Sequence, residues 1–80
     1  MRILVIEDDK DVASYLSKGL KESGYVADCA DNGKTGLQMA VSEDYDLLIV
    51  DRMMPEMGGL EVIRTLREEG YKTPVLVLSA

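Results

Sequence analysis

Leu47-Leu48-Ile49-Val50-Asp51-Arg52-Met53-Met54-Pro55-Glu56-Met57-Gly58-Gly59 decides the fold. Leu47–Val50 carries no polar residue, so it has no face to turn to water and reads as a strand buried on both sides, as in a parallel sheet covered by helices. An acid, Asp51, stands at its carboxyl end. The proline and paired glycines make the following residues a loop. Beyond the loop, Leu60, Ile63 and Leu66 recur at helical spacing up to about Glu69. The pattern predicts an amphipathic helix with those three residues inward.

Outward from this unit the same alternation recurs. Ile3–Ile6 is a second continuously apolar strand, and it ends in Glu7-Asp8-Asp9. From about Lys10 to Ser23, Val12, Leu16 and Leu20 mark an amphipathic helix, which Gly24 ends. Asp9 is positioned to cap it. Tyr25–Ala30 reads as a weaker strand, and Asp31-Asn32-Gly33 as a turn capping a helix around Lys34–Ser42, with Leu37, Ala40 and Val41 inward. On the other side, Gly70 stops the third helix and Thr73-Pro74 opens a fourth apolar strand, Val75–Leu78. The order β-α-β-α-β-α-β predicts an α/β domain with a parallel sheet and right-handed crossovers.

Eighty residues make one small domain, residues 1–80. A chain this short buries a little over ~60% of the surface its unfolded form exposes, so its stability is thin. Nine Lys+Arg against fifteen Asp+Glu leave a net charge of −6, which argues against direct nucleic-acid binding by this chain and for cations and basic partners. Cys29 has no partner for a disulfide within the chain and there is no histidine, so neither a disulfide nor a zinc site staples the fold. A reducing cytoplasm is the expected compartment. The apolar runs Ile3–Ile6 and Leu47–Val50 are far short of the ~20 residues of a membrane helix, or of the roughly 7–15 of a signal-peptide core. No membrane association is expected.

Chemistry collects at one edge. In an open parallel sheet, ligands bind beyond the carboxyl ends of the strands, at the switch point of the strand order. If the strands at Ile3–Ile6 and Leu47–Val50 are neighbours, about 4.8 Å apart, Glu7, Asp8 and Asp51 project into one small volume. Three carboxylates so placed repel unless a cation sits among them, and an all-oxygen donor set suits Mg²⁺ best, with Mn²⁺ and Ca²⁺ as alternatives. The competing expectation is three solvated strand ends.

Taken together, Val5-Ile6-Glu7-Asp8-Asp9, Leu48-Ile49-Val50-Asp51-Arg52-Met53-Met54-Pro55, Gly58-Gly59 and Val77-Leu78-Ser79-Ala80 resemble the receiver domain of bacterial response regulators. The resemblance runs the length of the chain and implies the flavodoxin-like fold, whose sheet order over four strands is 2-1-3-4. It implies that Asp51 accepts a phosphoryl group from a sensor histidine kinase in a Mg²⁺-dependent reaction. Asp8 and Asp51 then match direct metal ligands, Glu7 a ligand acting through water, and Met53 a contributor of its backbone carbonyl alone. Ser79 matches the hydroxyl that senses the phosphate, Ala80 leaves room for it, and Pro55 and Gly59 shape the acceptor loop. The parent resembles the regulators that carry a winged-helix, DNA-binding output domain controlling transcription. Such a domain is no enzyme in the ordinary sense, but a phosphoacceptor that assists its own phosphorylation.

The family pattern also includes a fourth helix, a fifth strand ending in a lysine and a fifth helix, none of which has a counterpart in these 80 residues. Two expectations follow: a switch weakened for want of that lysine, and an exposed Val75–Leu78 edge that drives homodimer or higher association. The alternative function is a structural or dimerising fragment that binds Mg²⁺ and does not signal. Other motifs are weaker. Gly33-Lys34-Thr35 ends like a phosphate-binding loop, but Asp28 stands where its first glycine belongs. Nothing of the G-x-G-x-x-G type follows the first strand, the four tyrosines show no stacking pattern, and Cys29 is expected as a buried small hydrophobe.

Overall fold

Two strands fix the centre of the molecule. In the computed structural model, which describes residues 1–79, β1 (Arg2–Ile6) and β3 (Leu47–Asp51) lie side by side in parallel, with Ile3 opposite Leu47 and Ile6 opposite Val50. The remaining elements are α1 (Lys10–Glu22), β2 (Val26–Ala30), α2 (Gly33–Ser42), α3 (Gly59–Glu68) and β4 (Val75–Leu78). All four strands are parallel, in the order β2-β1-β3-β4. The order reverses between β1 and β3, which is the switch point the fold uses for ligands.

Leu4, Val5, Ile6, Leu48 and Val50 have no exposed surface, as continuous apolar central strands require. Strand alternation sends them to two faces. Leu4, Ile6, Leu48 and Val50 pack with Ala40 of α2 and Val62 and Leu66 of α3, while Ile3, Val5 and Ile49 meet only partly buried neighbours, among them Leu16 and Leu20 of α1. The two faces are unequally covered. Two helices serve the first and one the second, and a single helix about 10 Å across cannot blanket strands spanning about 14 Å. No residue of α1 is fully buried.

That imbalance corrects several inward assignments. Val12 is 38% exposed because its face of α1 extends past the sheet, and Cys29, expected buried, is exposed because α1 leaves its side of edge strand β2 open. On α3 the apolar stripe is rotated: Leu60 is 52% exposed and Val62 is buried in its place. Gly59 sits hard on β3 and thereby aims the next residue away. Val41 is likewise exposed, at the end of α2.

Helix ends follow local chemistry. Asp9 accepts from the Asp11 and Val12 N–H groups at 2.9 and 3.2 Å, and Asn32 accepts from the Thr35 N–H at 2.8 Å. Gly24 and Gly70, at φ 90° and 88°, turn the chain out of α1 and α3 through the left-handed region. At the amino ends of the strands, Arg2 ties three segments together. Its guanidinium donates to Asp28 at 3.2 Å and Glu43 at 2.9 Å and lies 5.0 Å from the centre of the Tyr45 ring, and the Tyr45 hydroxyl donates to Asp28 at 2.8 Å. Among the described residues no helix is long and apolar enough to cross a membrane.

Candidate functional site

The opposite edge holds the acids. β1 runs straight into Glu7, whose N–H donates to the Ala30 carbonyl at 3.0 Å and so prolongs the ladder with β2 by one residue. Asp51 is the last residue of β3, opposite Leu78 of β4. Parallel register brings these strand ends level. One carboxylate oxygen from each of Glu7, Asp8 and Asp51 lies within 4.8 Å of the other two. Their settings differ: Glu7 is 6% exposed, Asp51 half-buried and Asp8 exposed.

Burial pushes the Glu7 carboxyl up to about 7, and the neighbouring Asp51 and Asp8 carboxylates add to the rise, against the Asp9 N–H that donates to it at 3.1 Å. A buried acid beside two others is electrostatically incomplete at neutral pH. It holds a proton, or it keeps its charge beside a cation. The nearby donors are carboxylate oxygens with no imidazole or thiolate among them, which is the set a hard divalent ion takes. Asp9, the third acid of the run, is occupied in capping α1 and is outside the cluster.

The loop after β3 is built around Asp51. The Met53 N–H donates to Asp51 Oδ1 at 3.1 Å, an Asx turn that orients the carboxylate, while the Met53 side chain is 75% exposed. At the far end of the loop, the Gly59 N–H donates to the Arg52 carbonyl at 3.0 Å. A Cβ on Gly59 would run into the Asp51 carbonyl oxygen and lie 2.9 Å from Val50 Cγ1, so only glycine closes the loop this tightly. Between these ends, the Met57 N–H donates to the Pro55 carbonyl at 2.7 Å across Glu56, whose φ is 65°. This is a γ-turn of the rare, strained hand. Sequence patterning gave no signal for it, since nothing about a glutamate between proline and methionine asks for a left-handed backbone.

An open cleft of about 560 Å³ lies over the acids, bordered by Asp8, Asp51, Met53, Leu78 and Ser79. Ser79 is exposed on its rim, following β4. The structure therefore brings together every predicted site residue from 7 to 79. The expectation for Ala80 lies outside the described residues.

The fold and this edge define a flavodoxin-like α/β domain with an acidic cleft at the switch point of its sheet. Residues 3–80 match the response regulator receiver domain family, and the chain belongs to that family. It is 51% identical over 80 residues to the probable transcriptional regulatory protein SilR of Salmonella typhimurium, and 45% identical over 80 residues to the transcriptional regulatory protein CusR of Escherichia coli K12. All of this chain is covered in both cases, and it spans 35% of the length of each relative. Among solved structures it resembles a Francisella response regulator receiver domain, with a TM-score of 0.96, 34% identity and coverage of 99% of this chain and 65% of that one. It also resembles the Thermotoga maritima response regulator TrrA in complex with Mg²⁺ and BeF, with a TM-score of 0.84, 38% identity and coverage of 95% and 64%.

Proposed function

We propose that this chain is the phosphoaccepting part of a two-component response regulator, in which Asp51 takes a phosphoryl group from the phosphohistidine of a sensor histidine kinase. The observation that carries this is the convergence of the Glu7, Asp8 and Asp51 carboxylates within 4.8 Å at the strand edge. A carboxylate oxygen of Asp51 attacks phosphorus; the P–O bond forms as the P–N bond to the imidazole breaks, and the bonding pair stays on the ring nitrogen. Such a transfer passes through a loose transition state, so catalysis is positioning and charge neutralisation. Asp51 is held for attack by the Met53 N–H.

The donor set fits Mg²⁺, with Asp8 and Asp51 as direct ligands, Glu7 acting through water and Met53 giving its backbone carbonyl. When bound, the ion supplies positive charge for the phosphoryl oxygens. The Ser79 hydroxyl, on the rim of the same cleft, donates to a phosphoryl oxygen of the product. Residues 1–80 are then the four-strand part of a receiver unit, supported by their covering 65% of the Francisella domain. The parent protein uses the phosphorylated receiver to control a DNA-binding output that regulates transcription, supported by the relatives' names and by the 35% of their length matched here. DNA is contacted by that output, and the kinase partner places the chain in the cytoplasm.

Incubation with Mg²⁺ and acetyl phosphate, followed by intact-mass measurement, tests the assignment. One phosphoryl adduct is expected, lost on chelation and in Asp51→Asn. An adduct that persists in Asp51→Asn refutes it.

A second reading, self-association of this four-strand unit, rests on a separate observation. Leu76 and Val77 on β4 are 54% and 37% exposed, and among the described residues β4 pairs only with β3. A second copy that adds its own β4 satisfies the open ladder and covers both side chains. Light scattering across a concentration series tests this reading, and a mass that stays monomeric removes it.

A further inference from the structure

Gly33 carries no reactive group, yet its position bears on Asp51. It is buried at the first position of α2. A Cβ there would run into the Met57 carbonyl oxygen, 3.0 Å from Met57 Cβ and 3.2 Å from the Met57 carbonyl carbon. The Met57 backbone therefore rests directly on the start of α2. The same loop is fixed elsewhere, by Gly59 against Asp51 and by the Met57-to-Pro55 hydrogen bond across Glu56.

We propose that Gly33 is a positioning residue for the acceptor: its bare Cα lets Met57 seat on α2, and that seat holds residues 52–58 in the shape that aims the Met53 N–H at Asp51 Oδ1. The proposal rests on the assignment of Asp51 as phosphoacceptor. A methyl group at position 33 pushes Met57 outward. Glu56 is already in the left-handed region and cannot rotate further at low cost, and Gly59 is jammed against β3. The displacement passes instead to Met53 and misaligns the Asp51 carboxylate. Loss then appears in the chemistry of the site, beyond any loss of stability.

The test compares wild type, Gly33→Ala and Ala40→Gly in the full chain. Ala40 is buried on the same helix, so its glycine variant costs stability through helix propensity without touching the loop. Gly33→Ala is expected to move the Met53 amide resonance in metal-free protein, to weaken Mg²⁺ binding about tenfold, as loss of an outer support for a ligand does, and to slow acetyl phosphate labelling by at least as much. Ala40→Gly is expected to change none of these. A Gly33→Ala protein with the wild-type Met53 resonance and Mg²⁺ affinity overturns the proposal, as does an Ala40→Gly protein that shows the same losses. Should Gly33→Ala fail to fold, the Gly33→Ala/Glu56→Gly double variant gives the turn freedom to yield. Recovery of folding with the Met53 amide where the Glu56→Gly single variant puts it supports the coupling, while an amide displaced from that position or continued failure to fold overturns it. If the wild type neither binds Mg²⁺ nor accepts a phosphoryl group, the phosphoacceptor assignment fails, and the metal-free Met53 resonance still decides the coupling.

Discussion

The Glu7 and Asp51 carboxylates, at the ends of two neighbouring strands, lie within 4.8 Å of each other, and Glu7 is the one buried charged residue among those described. A folded protein that places acids so closely gives up stability to do it.

That cost has a pH signature. Glu7 is pushed up to about 7 in the folded state, against ~4.3 in an unfolded chain, so folding is favoured by the protonated form. Its contribution is fully present below the unfolded value and is lost as pH rises through about 7. In chelator, urea unfolding should show wild type losing stability relative to Glu7→Gln between about pH 4.3 and 7. A difference between the two that does not vary with pH contradicts the placement of this carboxyl.

Divalent metal should reverse the loss. A ligand bound only by the folded state adds about 1.4 kcal/mol at ten times its dissociation constant. Mg²⁺ is expected to raise the unfolding midpoint of wild type and to leave Asp8→Asn and Asp51→Asn unmoved. In chelator Asp51→Asn should be more stable than wild type, because one repelling charge is gone. Equal Mg²⁺ stabilisation of all three proteins would place the ion elsewhere.

The loop between β3 and α3 should respond in opposite directions to two substitutions. Gly59→Ala forces a methyl group against the Asp51 carbonyl and Val50 and is expected to cost about 1–3 kcal/mol, as overpacking does. Glu56→Gly removes the penalty of a left-handed backbone and is expected to stabilise by about 1 kcal/mol. Urea denaturation of the single variants measures both, and a destabilised Glu56→Gly would mean that its side chain, not the turn, matters.

Far from the acids, Tyr45→Phe deletes the 2.8 Å hydrogen bond to Asp28 and should cost about 0.5–1.5 kcal/mol. Arg2→Ala should also lower the unfolding midpoint, less so at high salt, because its ion pairs are partly exposed. Neither is expected to alter Mg²⁺ affinity, since both lie at the other end of the strands. A change in affinity would show that the two edges communicate.

Ile3–Ile6 and Leu47–Val50 were readable because a strand with no polar face has one environment open to it, and the acids after them gave the site its composition. The neighbouring of β1 and β3 came from the family resemblance, since two apolar strands alone do not state their order. The Leu60 and Cys29 environments were not readable. The first depends on how closely Gly59 approaches Asp51, and the second on how far α1 reaches across the sheet, both of which are properties of packing between elements. The Arg2 cluster was hidden for the same reason: Asp28, Glu43 and Tyr45 meet it only after β2 and the segment before β3 have docked.

α1 has no fully buried residue of its own, so its lifting from the sheet costs chiefly the contacts of Leu16 and Leu20 with Ile3, Val5 and Ile49. Its amide protons should therefore exchange with deuterium through local opening, while those of β1 and β3 wait for the whole molecule to unfold. α1 begins at Lys10, immediately after the Glu7-Asp8-Asp9 run, and its Val12 borders the cleft over the acids, so each such opening loosens one wall of that cleft.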